Sequence, residues 1–166
     1  EGCKMYTFSA TSQARLQQLY PKLQAILVEA LPYNDFIIAV GFRDKAAQDA
    51  AFAGGFSKLK WPASKHNKQP SLAVDIFPYW KEFGAILGTE VQLTKIMQVF
   101  GCSKAQANQF VYNELYALAK LIKGVAIKQG TQIIWGGDWD NDGNTFDQRF
   151  NDLGHFELKG ASSYGE

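Results

Sequence analysis

The chain has two histidines, and each stands at the edge of an apolar run. His66 lies in the polar segment SKHNKQPS, just ahead of LAVDIF, where Asp75 sits between Val74 and Ile76. His155 opens HFEL, and Asp152 precedes it by three residues in DLGH. A catalytic zinc site takes three protein ligands from His and Asp/Glu and leaves a further position for water or substrate. His66, Asp75 and His155 supply two nitrogens and one oxygen of that kind. A carboxylate within an apolar strand is costly unless paired or metal-bound, which marks Asp75 in particular. Zinc brings the pKa of its water to about 7 and polarises a carbonyl. A carboxylate beside that water can take its proton and pass it to a leaving amine. Asp152 is the candidate for that role, near a ligand in sequence without being one. Glu157 is the runner-up, because an extended HFEL puts it on the face of His155. Spacing alone also allows plainer readings: hydrogen-bonded histidines, and an Asp75 held by a lysine or arginine. No HExxH motif is present.

A second acidic group lies in DWDNDGNTFD. Asp138, Asp140 and Asp142 alternate, Gly143 follows, and Asp147 comes at the tenth place. An EF-hand loop uses its first, third and fifth positions as ligands and a glycine at the sixth. The bidentate Glu belongs at the twelfth, where this chain has Arg149. The loop is either a shortened calcium site closed by Asp147 or a solvated acidic turn. Carboxylates packed this tightly repel one another without a cation or strong solvation.

Helical and strand patterns must position these groups. Leu16, Leu19, Leu23, Ile26, Leu27 and Ala30 recur at helical spacing after a cap at Ser9 or Thr11. Pro21 kinks that pattern or breaks it in two. DFIIAVG, residues 35–41, reads as a buried strand, and a short helix runs from Asp44 to the stop at Gly54 and Gly55. Leu72 to Phe77 is a second strand, ended by Pro78. Residues 79–104 read as an insertion with a short helix near Val91–Phe100. Ala105 to Gln129 is a long helix with Gly130 beyond it. TQIIW and HFEL are the third and fourth strands, joined by the polar loop GGDWDNDGNTFDQRFND. The order predicts a compact α+β domain over residues 1–166.

The totals narrow the class. At 166 residues the chain is long enough for one self-supporting core. A net charge of +1 and no basic run argue against nucleic acid as partner. No apolar stretch approaches the ~20 residues of a membrane span, and no signal peptide opens the chain. Cys3 and Cys102 lack metal or redox spacing and read as unrelated thiols. Trp61, Tyr79, Trp80, Trp135 and Trp139 cluster near the motifs, as core or as the lining of a glycan or peptide groove.

SKH, AVD, GGDW and DLGHFEL, taken in that order, resemble the D-alanyl-D-alanine peptidase family typified by VanX and VanY and by phage L-alanyl-D-glutamate endopeptidases. The resemblance runs from about Gly41 to Leu158. It implies a Hedgehog/DD-peptidase-like fold with a small antiparallel sheet and flanking helices. It also implies zinc on His66, Asp75 and His155, with Asp152 as base and acid. Arg43 matches an arginine that stabilises the oxyanion and orients substrate, and its multi-donor fork suits either task. Ser64 matches a serine that shapes the loop or binds substrate. One departure stands out: eight residues separate His66 from Asp75, where the family pattern has six. The extra length should bulge within NKQPSL and leave the ligands convergent if it closes before Ala73. The resemblance implies a monomeric phage-type endolysin, made in the host cytoplasm and cutting the L-alanyl–D-glutamate bond of the peptidoglycan stem peptide. The alternatives are a D-alanyl-D-alanine dipeptidase or carboxypeptidase, and a noncatalytic wall-binding module.

Overall fold

The computed structural model describes residues 5–160. Cys3 lies outside them, and so does any question of its pairing with Cys102. Ser9 caps α1 (Ala10–Leu16), its hydroxyl accepting the Ser12 N–H at 3.1 Å. Pro21 then starts a separate helix, α2 (Pro21–Ala30). At a helix's first position proline gives up no hydrogen bond, so the pattern breaks there rather than kinking. β1 is Phe36–Val40, and Asp44 caps α3 (Lys45–Ala53). A single 3-10 turn at Lys65–Asn67 carries His66. β2 (Ala73–Trp80), β3 (Gly84–Ala85) and α4 (Glu90–Phe100) follow. Then come α5 (Lys104–Lys128), β4 (Ile133–Gly136) and β5 (Asp152–Leu158).

Two strand boundaries correct the sequence reading. β2 does not stop at Pro78 but runs on to Trp80. Only the Pro78 carbonyl is needed there: it accepts the Ile86 N–H at 2.8 Å, while the Tyr79 N–H reaches Asp35 O at 2.8 Å. β5 begins at Asp152 rather than His155. Asp152 pairs with Gly136 after a register shift between Trp135 and Gly136. A Cβ on Gly136 would overlap the Asp152 carbonyl oxygen, so only glycine lets the two backbones approach this closely.

The main strands lie in the order β1-β2-β5-β4, all antiparallel, with β3 paired to the far end of β2. Side chains alternate across a sheet. Val74 and Ile76 of β2, and Phe156 and Leu158 of β5, are buried in one core with α2 and α5. Asp75, His155 and Glu157, at the intervening positions, project from the opposite face. One alternation therefore builds both the core and the site. Residues 79–104, read as an insertion, bring α4 against α5 over a second apolar cluster of Ile86, Leu93, Ile96, Ala107, Val111 and Leu115. No helix among the described residues is long and apolar enough to cross a membrane.

Candidate functional site

Asp75 and His155 face each other directly across β2 and β5. Sheet register fixes this pairing, since a slip of one residue would turn either side chain into the core. His66 comes from outside the sheet, on the 3-10 turn. Ser64 caps that turn, accepting the His66 N–H at 3.2 Å. Asn67 secures it further: its Oδ1 accepts the Ser64 N–H at 3.1 Å, and its Nδ2 donates to Arg43 O at 2.9 Å. The Arg43 N–H returns to His66 O at 2.8 Å, tying the turn to the segment after β1. The long spacer between His66 and Asp75 closes at Leu72, whose N–H donates to Lys65 O at 3.1 Å. Its outer part docks on the α1–α2 junction, where the Ser71 N–H meets Gln18 O at 2.8 Å. The extra length is thus absorbed before β2 begins.

Three donor atoms converge. His66 Nε2 lies 3.1 Å from Asp75 Oδ1 and 3.3 Å from His155 Nδ1, and His155 Nδ1 lies 2.9 Å from Asp75 Oδ1. The partners of the remaining ring nitrogens set the tautomers. His66 Nδ1 is 2.7 Å from Gly41 O, which can only accept, so Nδ1 carries the proton and the Nε2 lone pair points inward. His155 Nε2 is 3.0 Å from Glu157 Oε2, which leaves Nδ1 to point inward. Two lone pairs and a carboxylate oxygen facing one another repel unless a cation or proton lies among them. A tetrahedral zinc with bonds of about 2.0–2.1 Å sets its ligand atoms roughly 3.3 Å apart, close to the spacing here. The donor set and its spacing therefore fit a divalent metal ion, and these three residues could hold one.

The remaining acidic groups sort by environment. Without a metal a proton takes its place between the rings and Asp75: burial raises the Asp75 carboxyl, but hydrogen bonding to His155 and His66 outweighs it and holds Asp75 below the usual carboxylate range. Burial pushes the His155 imidazole down, yet its bonds to Asp75 and Glu157 prevail and lift it to about 9. Asp152 moves the other way: burial and then the Asp75 charge raise it, against the pull of His155, His66 and Arg43. Burial also raises Glu157, but His155 and Lys65 bring it below its ordinary value. Of the two candidates for proton transfer, Asp152 has the raised carboxyl and Glu157 is held in ion pairs with Lys65 and His155. Arg43 lies 3.5 Å from Asp75 Oδ2 and donates to Gln48 Oε1 at 3.1 Å. Gln48 is fully buried, and its Nε2 holds Ser57 Oγ at 3.0 Å and Leu59 O at 2.6 Å.

These groups line one cavity of about 680 Å³ that holds Arg43, Ser64, His66, Asp75, Asp152, His155 and Glu157. Its outer walls are Phe56, Lys58, Leu59, Trp139 and Phe150. The Trp139 ring sits 5.3 Å from that of His155, and Phe150 stacks on Trp139 at 6.5 Å. Of the aromatics singled out in the sequence, Trp139 reaches the cavity and Trp135 is buried in the core. Lys65, Gln48 and Asn67 were missed. Lys65 stands between Ser64 and His66, and that adjacency was the available signal; a lone Gln or Asn carries none.

The acidic loop folds back on itself. Asp138 is buried, and its carboxylate accepts the N–H groups of Asp142 at 3.1 Å and Gly143 at 3.2 Å and pairs with Lys123 at 3.2 Å. Asp138, Asp140 and Asp142 can bring one oxygen each within 4.8 Å of one another. Asp147 is turned to Asn144 and Gln148 instead.

Residues 4–108 match the family of phage L-alanyl-D-glutamate peptidases, a span that includes Arg43, Ser64, His66 and Asp75. No curated protein matches the chain. Among solved structures, the crystal structure of the Serratia marcescens L-Ala D-Glu endopeptidase ChiX has the same fold. It aligns with a TM-score of 0.62 at 21% identity, over 98% of this chain and 96% of that one. With the family model covering more than half of its length, the chain belongs to the phage L-alanyl-D-glutamate peptidases.

Proposed function

We propose that the protein is a zinc-dependent peptidase that hydrolyses the L-alanyl–D-glutamate bond of the peptidoglycan stem peptide, as a phage-type endolysin. The observation that carries this reading is the convergence of His66 Nε2, Asp75 Oδ1 and His155 Nδ1, each ring nitrogen freed by a partner on its far side. Bound there, zinc would supply Lewis acidity toward water and the scissile carbonyl. Asp152, its carboxyl raised by burial and by Asp75, takes the proton of the attacking water as the new C–O bond forms. It then gives that proton to the amide nitrogen as the C–N bond breaks, so that the D-glutamate leaves as an amine. Arg43, braced by Gln48, faces the oxyanion or orients a substrate carboxylate. Ser64 acts through the loop, by capping the turn that presents His66. Trp139 and Phe150 form the wall along which the peptide lies. Family membership favours the endopeptidase over a D-alanyl-D-alanine dipeptidase or carboxypeptidase. The filled set of chemical groups favours an enzyme over a noncatalytic wall-binding module.

The test is clearing of purified cell walls by wild type and Asp152→Ala, with and without chelator. Wild type should clear only with metal, and Asp152→Ala should keep the metal and fail to clear. Clearing that survives complete metal removal would contradict the proposal.

Calcium at the acidic loop is a second part of the same reading. Three carboxylates are gathered there, and the loop leads directly into Phe150 and Asp152. Calcium would have to compete with the Lys123 ammonium for Asp138. Isothermal titration should show binding at millimolar calcium or tighter; no heat at that level dismisses it.

A further inference from the structure

We infer that Lys65 and Glu157 form a clamp that decides which nitrogen of His155 faces the metal site, and through it the affinity for metal. The inference rests on the metal reading of the same site. Lys65 precedes one ligand on the 3-10 turn, and Glu157 follows the other by two residues on β5. The Lys65 ammonium donates to Glu157 Oε1 at 2.8 Å and to Leu158 O at 2.6 Å. The other oxygen of Glu157 meets His155 Nε2 at 3.0 Å. One cation thus bridges the two segments that carry the histidines, and one carboxylate joins that cation to a ligand ring.

The chemistry follows from what each atom can do. An ionised carboxylate only accepts hydrogen bonds. Glu157 therefore requires the proton of neutral His155 to be on Nε2, which leaves Nδ1 as the inward lone pair. Without an acceptor at Nε2 the two tautomers compete. The wrong one would point an N–H at His66 Nε2, only 3.3 Å away, where the metal must bind. Lys65, bonded to Glu157 Oε1 and Leu158 O, fixes the orientation of Glu157, so the pair settles both the ring rotation and the tautomer. An exposed Lys–Glu pair would contribute little. This pair is mostly buried, with side chains 26% and 17% exposed, and is anchored at a third point by a backbone carbonyl. Outer groups of this kind typically change metal affinity by about 10–100-fold. Lys65 and Glu157 are positioning residues: they act through His155.

The experiment is a competition titration of zinc against a chromophoric chelator for wild type, Glu157→Ala, Glu157→Gln and Lys65→Met. It is paired with nitrogen-15 NMR of the His155 ring in the zinc-loaded proteins and in the metal-free ones at alkaline pH, where the ring is neutral. Glu157→Ala should bind zinc about 10–100-fold more weakly, with the single proton of the neutral, metal-free His155 ring divided between its two nitrogens. Glu157→Gln retains an acceptor and should recover most of the affinity and the Nε2–H signal. Lys65→Met should weaken binding less than Glu157→Ala. Equal losses in Glu157→Ala and Glu157→Gln with an unmoved His155 proton would reduce the pair to a packing role and overturn the inference. Unchanged affinity in all three variants would overturn it too. If Glu157→Ala does not fold, Glu157→Gln and Lys65→Met decide: wild-type affinity in both refutes the clamp, and weakening led by Lys65→Met with the proton loosened supports it. A wild type that binds no zinc would instead remove the metal reading itself.

Discussion

Stripping the metal should make the protein's stability fall as pH rises through neutrality. Within the buried triad, the bonds of His155 to Asp75 and Glu157 outweigh the penalty of burial and hold the imidazole at about 9, against an ordinary 6.5. A group with a raised folded-state pKa favours folding while it is protonated. Its contribution is complete below the unfolded value and disappears as pH climbs through the folded one. At about 1.4 kcal/mol per pKa unit, the interval from 6.5 to about 9 corresponds to roughly 3–4 kcal/mol, of which about 3 kcal/mol is lost between pH 6.5 and 9.5. Asp75, lowered, has its contribution above its unfolded value and loses it only in acid, so it does not offset the loss in this window. Zinc and the proton compete for the same His155 nitrogen, and the loaded protein should therefore be steady or gain over the same range. For a chain of this size 1 kcal/mol moves the melting midpoint by about 2–4 °C, so the metal-free protein should lose roughly 6–12 °C between pH 6.5 and 9.5. The assay is thermal melting of chelated and zinc-loaded protein across that range, with His155→Gln as the control that removes the slope. A chelated wild type whose midpoint stays level would refute the argument.

Other substitutions test separate parts of the account. Asp152→Asn should keep one zinc per chain and cut stem-peptide turnover by about 10²–10⁴-fold; the acid limb of the wild-type pH–rate profile should lie above the ordinary aspartate value, as the raised carboxyl requires. Gly136→Ala should displace the start of β5 and with it Asp152, lowering both the melting midpoint and activity. Trp139→Ala removes the ring beside His155 and part of the cavity wall; steady-state kinetics should show a raised KM with zinc content unchanged. Ile76→Ala empties a fully buried position behind the site and should cost about 2–5 kcal/mol in urea unfolding while leaving metal binding intact.

Much of the site was legible because its parts violate local expectation. A carboxylate between Val74 and Ile76 contradicts an apolar strand, and the contradiction points to what Asp75 must meet. The helices were legible from the caps Ser9 and Asp44, from the apolar spacing along α2, and from Gly130 just beyond α5. The strand ends were not. Pro78 looks like a stop because a missing N–H normally ends pairing; at this position the fold asks only for its carbonyl. Asp152 looks like loop because a register shift and the missing Cβ of Gly136 extend β5 by three residues, and neither has a periodic signature. The supporting groups were least visible. Gln48 and Lys65 matter through bonds to residues distant in sequence, such as Lys65 to Glu157, and spacing along the chain does not encode them. The acidic loop shows the converse. Its EF-hand-like alternation is plain in the sequence, while the Lys123 ammonium on Asp138 emerges only when α5 packs beside it.

Mass spectrometry of stem-peptide fragments released from purified peptidoglycan tests the central claim most directly. Wild type should produce new L-alanine carboxyl ends and new D-glutamate amino ends, lose that product after exhaustive chelation, and regain it with one equivalent of zinc. Cleavage at another bond, or the same cleavage with His66, Asp75 and His155 stripped of metal, would contradict the account.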